Sequence, residues 1–207
     1  VNVYKYFSKN HLWPRGFLLD KIHTPLPPLN ALNKTYSPIQ QGLANDNPDV
    51  DAIYRLTLPL PIQFDDHDPI ALDQNTVCPF NSQNTTWFKE AFPLMYLPSY
   101  CSFRMTDIWR SFIAQRIAWT CGWSILFHKS TVRQERNAHH LMQDFIDEVP
   151  GYTHNAEIVS TLNKTPLKEG VTHIPQNLIH CYEALITLGV IDQKELPLVE
   201  AWIKDIT

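Results

Sequence analysis

The sequence predicts an α/β protein with a mixed sheet and a helical tail. Residues 51–58 alternate apolar and polar side chains, which is typical of a half-buried strand. Residues 123–127 form a short apolar run that follows a glycine, as expected for a buried strand. After about residue 85 most of the apolar side chains recur at the 3.6-residue period of a helix. The change of period along one chain favours a sheet with helices packed against it.

The elements before residue 100 follow from turn signals. Residues 1–48 are rich in proline and predict an ordered loop rather than regular elements. The strand at 51–58 is followed by a loop rich in Pro and Asp and then by a short strand at 76–80. Residues 85–95 predict a short helix that prolines cut short.

The strongest helix prediction covers residues 107–121. Thr106 or Asp107 is expected to cap it, and Gly122 is expected to end it. Further helices make up the tail. They are predicted at 139–148, 156–163, 175–188 and 193–206. We expect residues 1–150 to form the region with the sheet and residues 151–207 to form a helical tail packed on it.

Composition narrows the class of protein. The 207 residues hold 17 Lys and Arg against 21 Asp and Glu, a net charge of −4, which argues against a nucleic-acid partner. No run of about 18 uncharged apolar residues predicts a membrane span. The four cysteines lie far apart, so zinc binding is not expected. Three Asn-X-Ser/Thr sequons, at Asn33, Asn84 and Asn163, do not decide the compartment.

Two acidic motifs leave alternatives open. Asp66 and Asp68 form a D-x-D pair of the kind that holds Mn or Mg, but a solvated turn is favoured because such a pair usually ends an apolar strand. Asp107 is either a helix cap or a functional carboxylate near Arg110. In the second case Trp109 would be a platform on which a sugar ring stacks.

Two basic segments are also candidates for a site. Residues 134–140 combine Arg, Asn and His side chains that suit phosphate or metal-bound ligands. The alternative is a solvated helix start, but the mixture of residue types and the buried strand directly before the cluster argue against it. The turn at residues 13–16 either presents Arg15 or is a plain Pro-Gly turn. The sequence has no Gly-rich phosphate loop, nucleophile elbow or H-E-x-x-H helix, so hydride transfer, acyl hydrolysis and zinc proteolysis lack support.

Seven spaced blocks and the end of the chain resemble the STELLO family, glycosyltransferase-like proteins known in plants as Golgi partners of the cellulose synthase complex. The blocks are Trp13-Pro14-Arg15-Gly16-Phe17, Gln40-Gln41-Gly42, Asp49-Val50-Asp51-Ala52-Ile53, Phe64-Asp65-Asp66-His67, Pro79-Phe80-Asn81-Ser82-Gln83-Asn84-Thr85, Thr106-Asp107-Ile108-Trp109-Arg110-Ser111 and Gln115-Arg116. A more distant resemblance is to the reversibly glycosylated polypeptides, the UDP-arabinopyranose mutases. The resemblance implies the acceptor-side, C-terminal part of a GT-A-like mixed sheet.

The implied activity is transfer of a sugar from a nucleotide-sugar donor to a glycan or protein acceptor. Asp107 would be the general base or acceptor anchor. Arg15 and Arg110 would complete the catalytic group, and His128 or His139 would bind a divalent metal, Mn or Mg, once the donor half is present. The implied substrate-binding residues are Trp13, Asn81, Asn84, Trp109, Arg136 and Asn137.

One departure from the family pattern favours a second hypothesis. The family's nucleotide-binding half precedes the block at residues 13–17, and this chain begins only about a dozen residues before it. We therefore expect the donor-binding half to be missing and the chain alone to bind nucleotide sugars weakly. The alternative is a non-catalytic module that binds a protein partner or a glycan. By resemblance the compartment is the Golgi lumen if the source is eukaryotic, or the cytoplasm if it is bacterial.

Overall fold

The computed structural model describes residues 1–30, 35–135, 137 and 140–206. A central four-stranded sheet carries helices and long ordered loops. The strands are β1 (Tyr36–Asp46), β2 (Ile70–Leu72), β3 (Thr85–Trp87) and β4 (Trp123–Gln134). The helices are α1 (Ala52–Thr57), α2 (Thr106–Thr120), α3 (Leu141–Lys164), α4 (Ile174–Thr187) and α5 (Glu195–Ile206).

The sheet is mixed, as predicted. Its strand order is β2-β4-β1-β3, with the two long strands β1 and β4 side by side and parallel. The two three-residue strands β2 and β3 pair antiparallel on the edges. Asp46 at the end of β1 is in register with Gln134 at the end of β4. The carboxyl ends of both parallel strands therefore meet at one edge of the sheet.

The strand predicted at 51–58 is wrong, because this segment forms helix α1. The side chain of Asp51 accepts a hydrogen bond from the backbone N–H of Tyr54, which caps the helix. The predicted loop at 1–48 is wrong for residues 36–46, which form the central strand β1. Burial of Ile39 and Leu43 against the rest of the sheet and α2 outweighs the weak local strand signal.

The segment at 76–80 is not a strand, although Cys78, Pro79 and Phe80 in it are buried. The side chains of α2 satisfy its backbone, since Gln115 accepts from the N–H of Cys78 and Ser111 accepts from that of Phe80. The helix predicted at 85–95 is replaced by β3 and a 3₁₀ helix, Lys89–Met95.

Helix α2 and strand β4 confirm the predictions for residues 107–121 and 123–127. The predicted cap is wrong: Met105 occupies the N-cap position without a side-chain bond, and the hydroxyl of Thr106 donates to the carbonyl of Phe103. Asp107 lies in the first turn, so its carboxylate is available for other partners.

The tail is helical, as predicted, with α4 and α5 close to their expected bounds. The two helices predicted at 139–148 and 156–163 are one continuous helix, α3, and the predicted division at residue 150 lies inside it. Glu195 fixes α5 to the loop after the 3₁₀ helix. Its buried carboxylate accepts from the N–H groups of Ser99 and Tyr100 and from the hydroxyl of Tyr96. No helix among the described residues is long and apolar enough to cross a membrane.

Candidate functional site at the carboxyl edge of the parallel strands

The site lies where the loop after β1 meets the start of α2. The amide of Asn47 donates to the carbonyl of Gln134 over 3.3 Å, and the amide of Gln83 donates to the carbonyl of Asn47 over 3.0 Å. These bonds join the end of β1, the end of β4 and the loop before β3. Ligand sites of α/β folds form at such edges, beyond the carboxyl ends of parallel strands.

Arg15 enters this edge from a sharp turn. Gly16 has φ +83°, and a Cβ there would lie 2.3 Å from Cγ2 of Ile108, so the turn needs glycine for both conformation and space. Arg15 Nε and Nη2 donate to the two carboxylate oxygens of Asp49 over 2.9 and 2.8 Å. Its Nη1 donates to the carbonyl of Arg104. The guanidinium is therefore held from two sides.

Asp107 completes the group. Arg15 Nη2 lies 3.0 and 3.1 Å from its two carboxylate oxygens, and the backbone N–H of Ser82 donates to Oδ2 over 3.0 Å. The Asp107 side chain is 14% exposed, against 8% for Arg15. Arg15 and Asp107, two residues with implied catalytic roles, thus meet although 92 residues separate them in the sequence. Arg136, one of the implied substrate-binding residues, lies outside the described residues.

Burial and charge act in opposite directions on these groups. Burial would lower the pKa of Arg15, but Asp49 and Asp107 outweigh it, and the pKa lies above the ordinary value. Burial would raise the pKa of Asp49, but Arg15 outweighs it, and this pKa lies below the ordinary value. Arg15 and Asp49 therefore both stay charged at neutral pH.

Arg110 lies one turn along α2 from Asp107 and is 4% exposed. Its guanidinium lies over the ring of Trp87 at 4.9 Å, and Nη2 donates to the hydroxyl of Ser82 over 3.0 Å. Among the described residues its buried Nε has no hydrogen-bond partner. Burial lowers the pKa of Arg110 to about 10, although Asp107 acts to raise it. Arg110 thus places a positive charge beside the Asp107 and Ser82 pair.

A fully buried carboxylate supports the group from α3. Glu148 accepts from Arg104 through Oε1, and from the N–H of Ala52 over 2.7 Å and the hydroxyl of Tyr152 over 2.6 Å through Oε2. Arg104 in turn provides the carbonyl that Arg15 contacts. Glu148 therefore links α3 to both α1 and the loop that holds Arg15.

The prediction that Trp13 and Trp109 bind sugar is not supported by their positions. Both indoles are buried in the core, at 3% and 2% exposure. Trp13 Nε1 donates to Asp51 over 2.6 Å, and Trp109 Nε1 donates to Asn155 over 2.9 Å. Since the core covers both rings, neither presents a face on which a sugar could stack. The two residues instead hold the turn at Gly16 and the start of α1 in place.

The predicted asparagines occupy different places. Asn81 is buried, and its Oδ1 accepts from the N–H of Gln83, which shapes the loop that carries Ser82. Asn84 is half-buried, and its amide donates to the carbonyl of Leu43 and the hydroxyl of Thr131. Asn137 is exposed. The loop from Asn81 to Asn84 thus shapes the site, while Asn137 follows the end of β4.

Of the two predicted metal ligands, His128 and His139, the structure describes only the first. His128 is half-buried, and its Nδ1 lies 3.1 Å from the carbonyl of Lys129. His139 lies outside the described residues. Asp66, of the D-x-D pair, bridges to Lys129 at the surface, which agrees with the solvated turn. Within the described part of the chain, no three His, Cys, Asp or Glu side chains approach closely enough to hold a metal ion.

Several residues of the site have no individual signal in the sequence. Asp49 and Ser82 appear there only as members of longer blocks, and Glu148 resembles any charged residue on an amphipathic helix. A turn such as 13–16 and an acid at a helix start are visible locally, so Arg15 and Asp107 could be found. Their partners depend on tertiary contacts, which local patterns do not report.

The fold and the site define an α/β protein with charged groups gathered at the carboxyl edge of its parallel strands. Residues 104–207 match the model of the family "STELLO glycosyltransferases", and the chain belongs to this family. It is 34% identical over 144 residues to "Probable glycosyltransferase STELLO2" and 32% identical over 144 residues to "Probable glycosyltransferase STELLO1", both of Arabidopsis thaliana. Each match covers 65% of this chain. It covers only 19% and 18% of the two relatives, so the chain spans at most about a fifth of their length.

Proposed function

We propose that this chain forms the acceptor side of a GT-A-like glycosyltransferase that transfers a sugar from a nucleotide-sugar donor to a glycan or protein acceptor. The observation that carries the proposal is the partly exposed carboxylate of Asp107, held by Arg15 and the N–H of Ser82 at the carboxyl edge of β1 and β4. Membership of a family of glycosyltransferases supports the reaction class.

The geometry favours an anchoring role for Asp107. Arg15 contacts both carboxylate oxygens, and Ser82 contacts one of them. A carboxylate has about four lone-pair sites, so it can still accept a hydrogen bond from a hydroxyl of the acceptor. The exposed hydroxyl of Ser82, which Arg110 holds through a hydrogen bond, lies alongside and would orient a second hydroxyl of the acceptor. Because these groups are fixed, they would hold the bound acceptor in an orientation that favours the reaction.

The test is the variant Asp107→Asn in the full-length protein. Transfer to glycan acceptors from a panel of UDP- and GDP-sugars would be measured by mass spectrometry, with donor hydrolysis measured in parallel. Loss of a hydrogen bond to a charged group should lower kcat/KM for the acceptor by about 10- to 100-fold. Donor hydrolysis should change much less, because the proposed contact is with the acceptor.

Asp68→Asn is the matched control, because this carboxyl group lies in an exposed loop outside the site. The control should transfer sugar as well as the wild type. Unchanged acceptor kinetics in Asp107→Asn would refute the proposed role of the carboxylate.

A second candidate, the non-catalytic interaction module, is favoured by apolar surface beside the site. Phe103 is 85% exposed, and Met142 and Ile146 on α3 are also exposed. The hydroxyl of Ser102 donates to the carbonyl of Asp147, which holds the Phe103 turn against α3. A full-length protein that transfers no sugar, and that loses a protein partner when Phe103 is replaced by Ser, would support this candidate instead.

A further inference from the structure

We infer that a second, polar cleft of this chain binds one ring of a neutral saccharide. The cleft has a volume of about 160 Å³ and lies between the ends of α2 and α3 and two loops. This volume is below the roughly 300–1,000 Å³ of pockets for drug-sized ligands, so it suits a single ring. The polar residues that line it are Gln74, Asn75, Arg116, Thr120, Asn163 and Glu169.

The cleft is separate from the site at Asp107. Asp107 lies in the first turn of α2, whereas Arg116 and Thr120 lie in its last two turns. The 13 residues from Asp107 to Thr120 correspond to about 20 Å along the helix axis. One saccharide ring cannot contact both places, and the inference does not depend on the function proposed for Asp107.

The walls of the cleft are already fixed by hydrogen bonds. Arg116 Nε donates to the carbonyl of Leu162 and Nη2 donates to that of Thr165, both over 2.9 Å. The N–H of Gly170 donates to the carbonyl of Thr120 over 2.8 Å, which joins the 165–170 loop to the end of α2. Because these contacts hold the surroundings in place, a ligand would lose little affinity to the ordering of the cleft.

The chemistry of the lining matches a polyhydroxylated, uncharged ligand. Amide and carboxylate side chains at Gln74, Asn163 and Glu169 offer donors and acceptors for neighbouring hydroxyl groups. The cleft has one positive and one negative side chain, Arg116 and Glu169, and no salt bridge within 4.0 Å joins them among the described residues. A phosphate or a uronate would face Glu169, and two donors of Arg116 are already engaged. A neutral sugar is not repelled by Glu169 and does not need the engaged donors of Arg116 to balance a charge.

The experiment uses the full chain produced in bacterial cells, so that the sequon at Asn163 carries no glycan. Neutral tetrasaccharides of glucose, mannose, galactose and xylose are the probes, and tetragalacturonate is the anionic comparison. Calorimetry should show binding of at least one neutral probe. Glu169→Gln and Asn163→Ala should each weaken that binding about fivefold or more, because each loses a hydrogen bond.

Matched controls keep the test specific. Glu157→Gln on the exposed face of α3 and Asn10→Ala in an exposed loop should bind like the wild type. Glu169→Gln should weaken probe binding by the same factor in the wild-type and in the Asp107→Asn background, because the cleft is separate from the first site. This comparison separates the inference from the proposed transfer reaction. In hydrogen exchange, the bound probe should protect residues 73–76 and 163–170.

Four results would overturn the inference. The first three are no binding of any neutral probe, preference for tetragalacturonate, and unchanged affinity in both cleft variants. The fourth is protection confined to the edge of the sheet near Asp107, because the sugar would then occupy the first site.

Discussion

Replacing Arg15 with methionine removes the charge that joins two carboxylates. The side chains of Arg15 and Asp49 are only 8% and 12% exposed, and 2.8 Å separates Nη2 from Oδ2. Removing one partner of a buried pair leaves the other as an uncompensated charge, which costs about 3–5 kcal/mol of unfolding free energy. Asp107 loses the same partner, so we expect Arg15→Met to reach this range at pH 7.

The destabilisation caused by Arg15→Met should depend on pH, because Asp49 titrates differently with and without its partner. Burial acts to raise the pKa of Asp49, but Arg15 holds it below the ordinary value. Such a group stabilises the fold above its unfolded pKa, and this stabilisation is lost as the pH falls through the folded pKa. In Arg15→Met burial is opposed only by the weaker influence of Arg104 and Arg55, so the pKa of Asp49 rises and the group takes up a proton more easily. The destabilisation relative to the wild type should therefore shrink as the pH falls from 7 towards 4.

Urea unfolding followed by tryptophan fluorescence at pH 7 and pH 4.5 measures this difference. The slope m should stay unchanged, so that a shift in the midpoint reports stability alone. Arg15→Lys should recover only part of the loss, because an ammonium group cannot reproduce the two-pronged contact with Asp49. Arg133→Met, at an exposed position of β4, should change stability by less than about 0.5 kcal/mol. A loss for Arg15→Met below about 1 kcal/mol, or one equal at both pH values, would refute the reasoning.

Two further predictions concern buried acids. Burial raises the pKa of Asp51 to about 6, so the unfolding free energy should fall by about 2–3 kcal/mol as the pH rises from 4 to 7 through this group. NMR titration of its carboxyl carbon should show a midpoint near pH 6, and Asp51→Asn should remove that part of the pH dependence. Glu195→Ala leaves the buried hydroxyl of Tyr96 without its acceptor, at a cost of about 1–3 kcal/mol, and also removes the acceptor of the Ser99 N–H. Hydrogen exchange should show α5 opening first, and equal protection of α5 in the variant and the wild type would contradict this role.

The part of the fold that follows from the sequence is the part with a local signal. Helix α2 has a clear period and ends at a glycine with φ +67°, and β4 begins with an uninterrupted apolar run. Strand β1 has neither signal, because Gln40, Gln41 and Pro38 resemble loop residues. It is a strand because β3 and β4 pair with it on both sides and because neighbouring backbone groups satisfy the buried amide of Gln41.

In the segment at 51–58 the local pattern predicts a strand where the structure has a helix. Its alternation favours a strand, yet six of its residues form a helix. Asp51 caps that helix, Trp13 donates to the same carboxylate, and Glu148 accepts from the N–H of Ala52. Each contact comes from a residue distant in sequence or from a cap that alternation does not report. Tertiary contacts therefore outweigh the local pattern in this segment.

The hydrogen bonds that Asp107 already accepts bear on the two roles considered for it. A general base needs a free lone pair aimed at the proton of the attacking hydroxyl group. Arg15 Nη2 contacts both carboxylate oxygens of Asp107, and the N–H of Ser82 donates to Oδ2 as well. An anchor needs only one remaining acceptor site on a carboxylate whose position is fixed. The geometry therefore favours an acceptor anchor, and on this reasoning the loss in Asp107→Asn should appear mainly in the KM for the acceptor rather than in kcat.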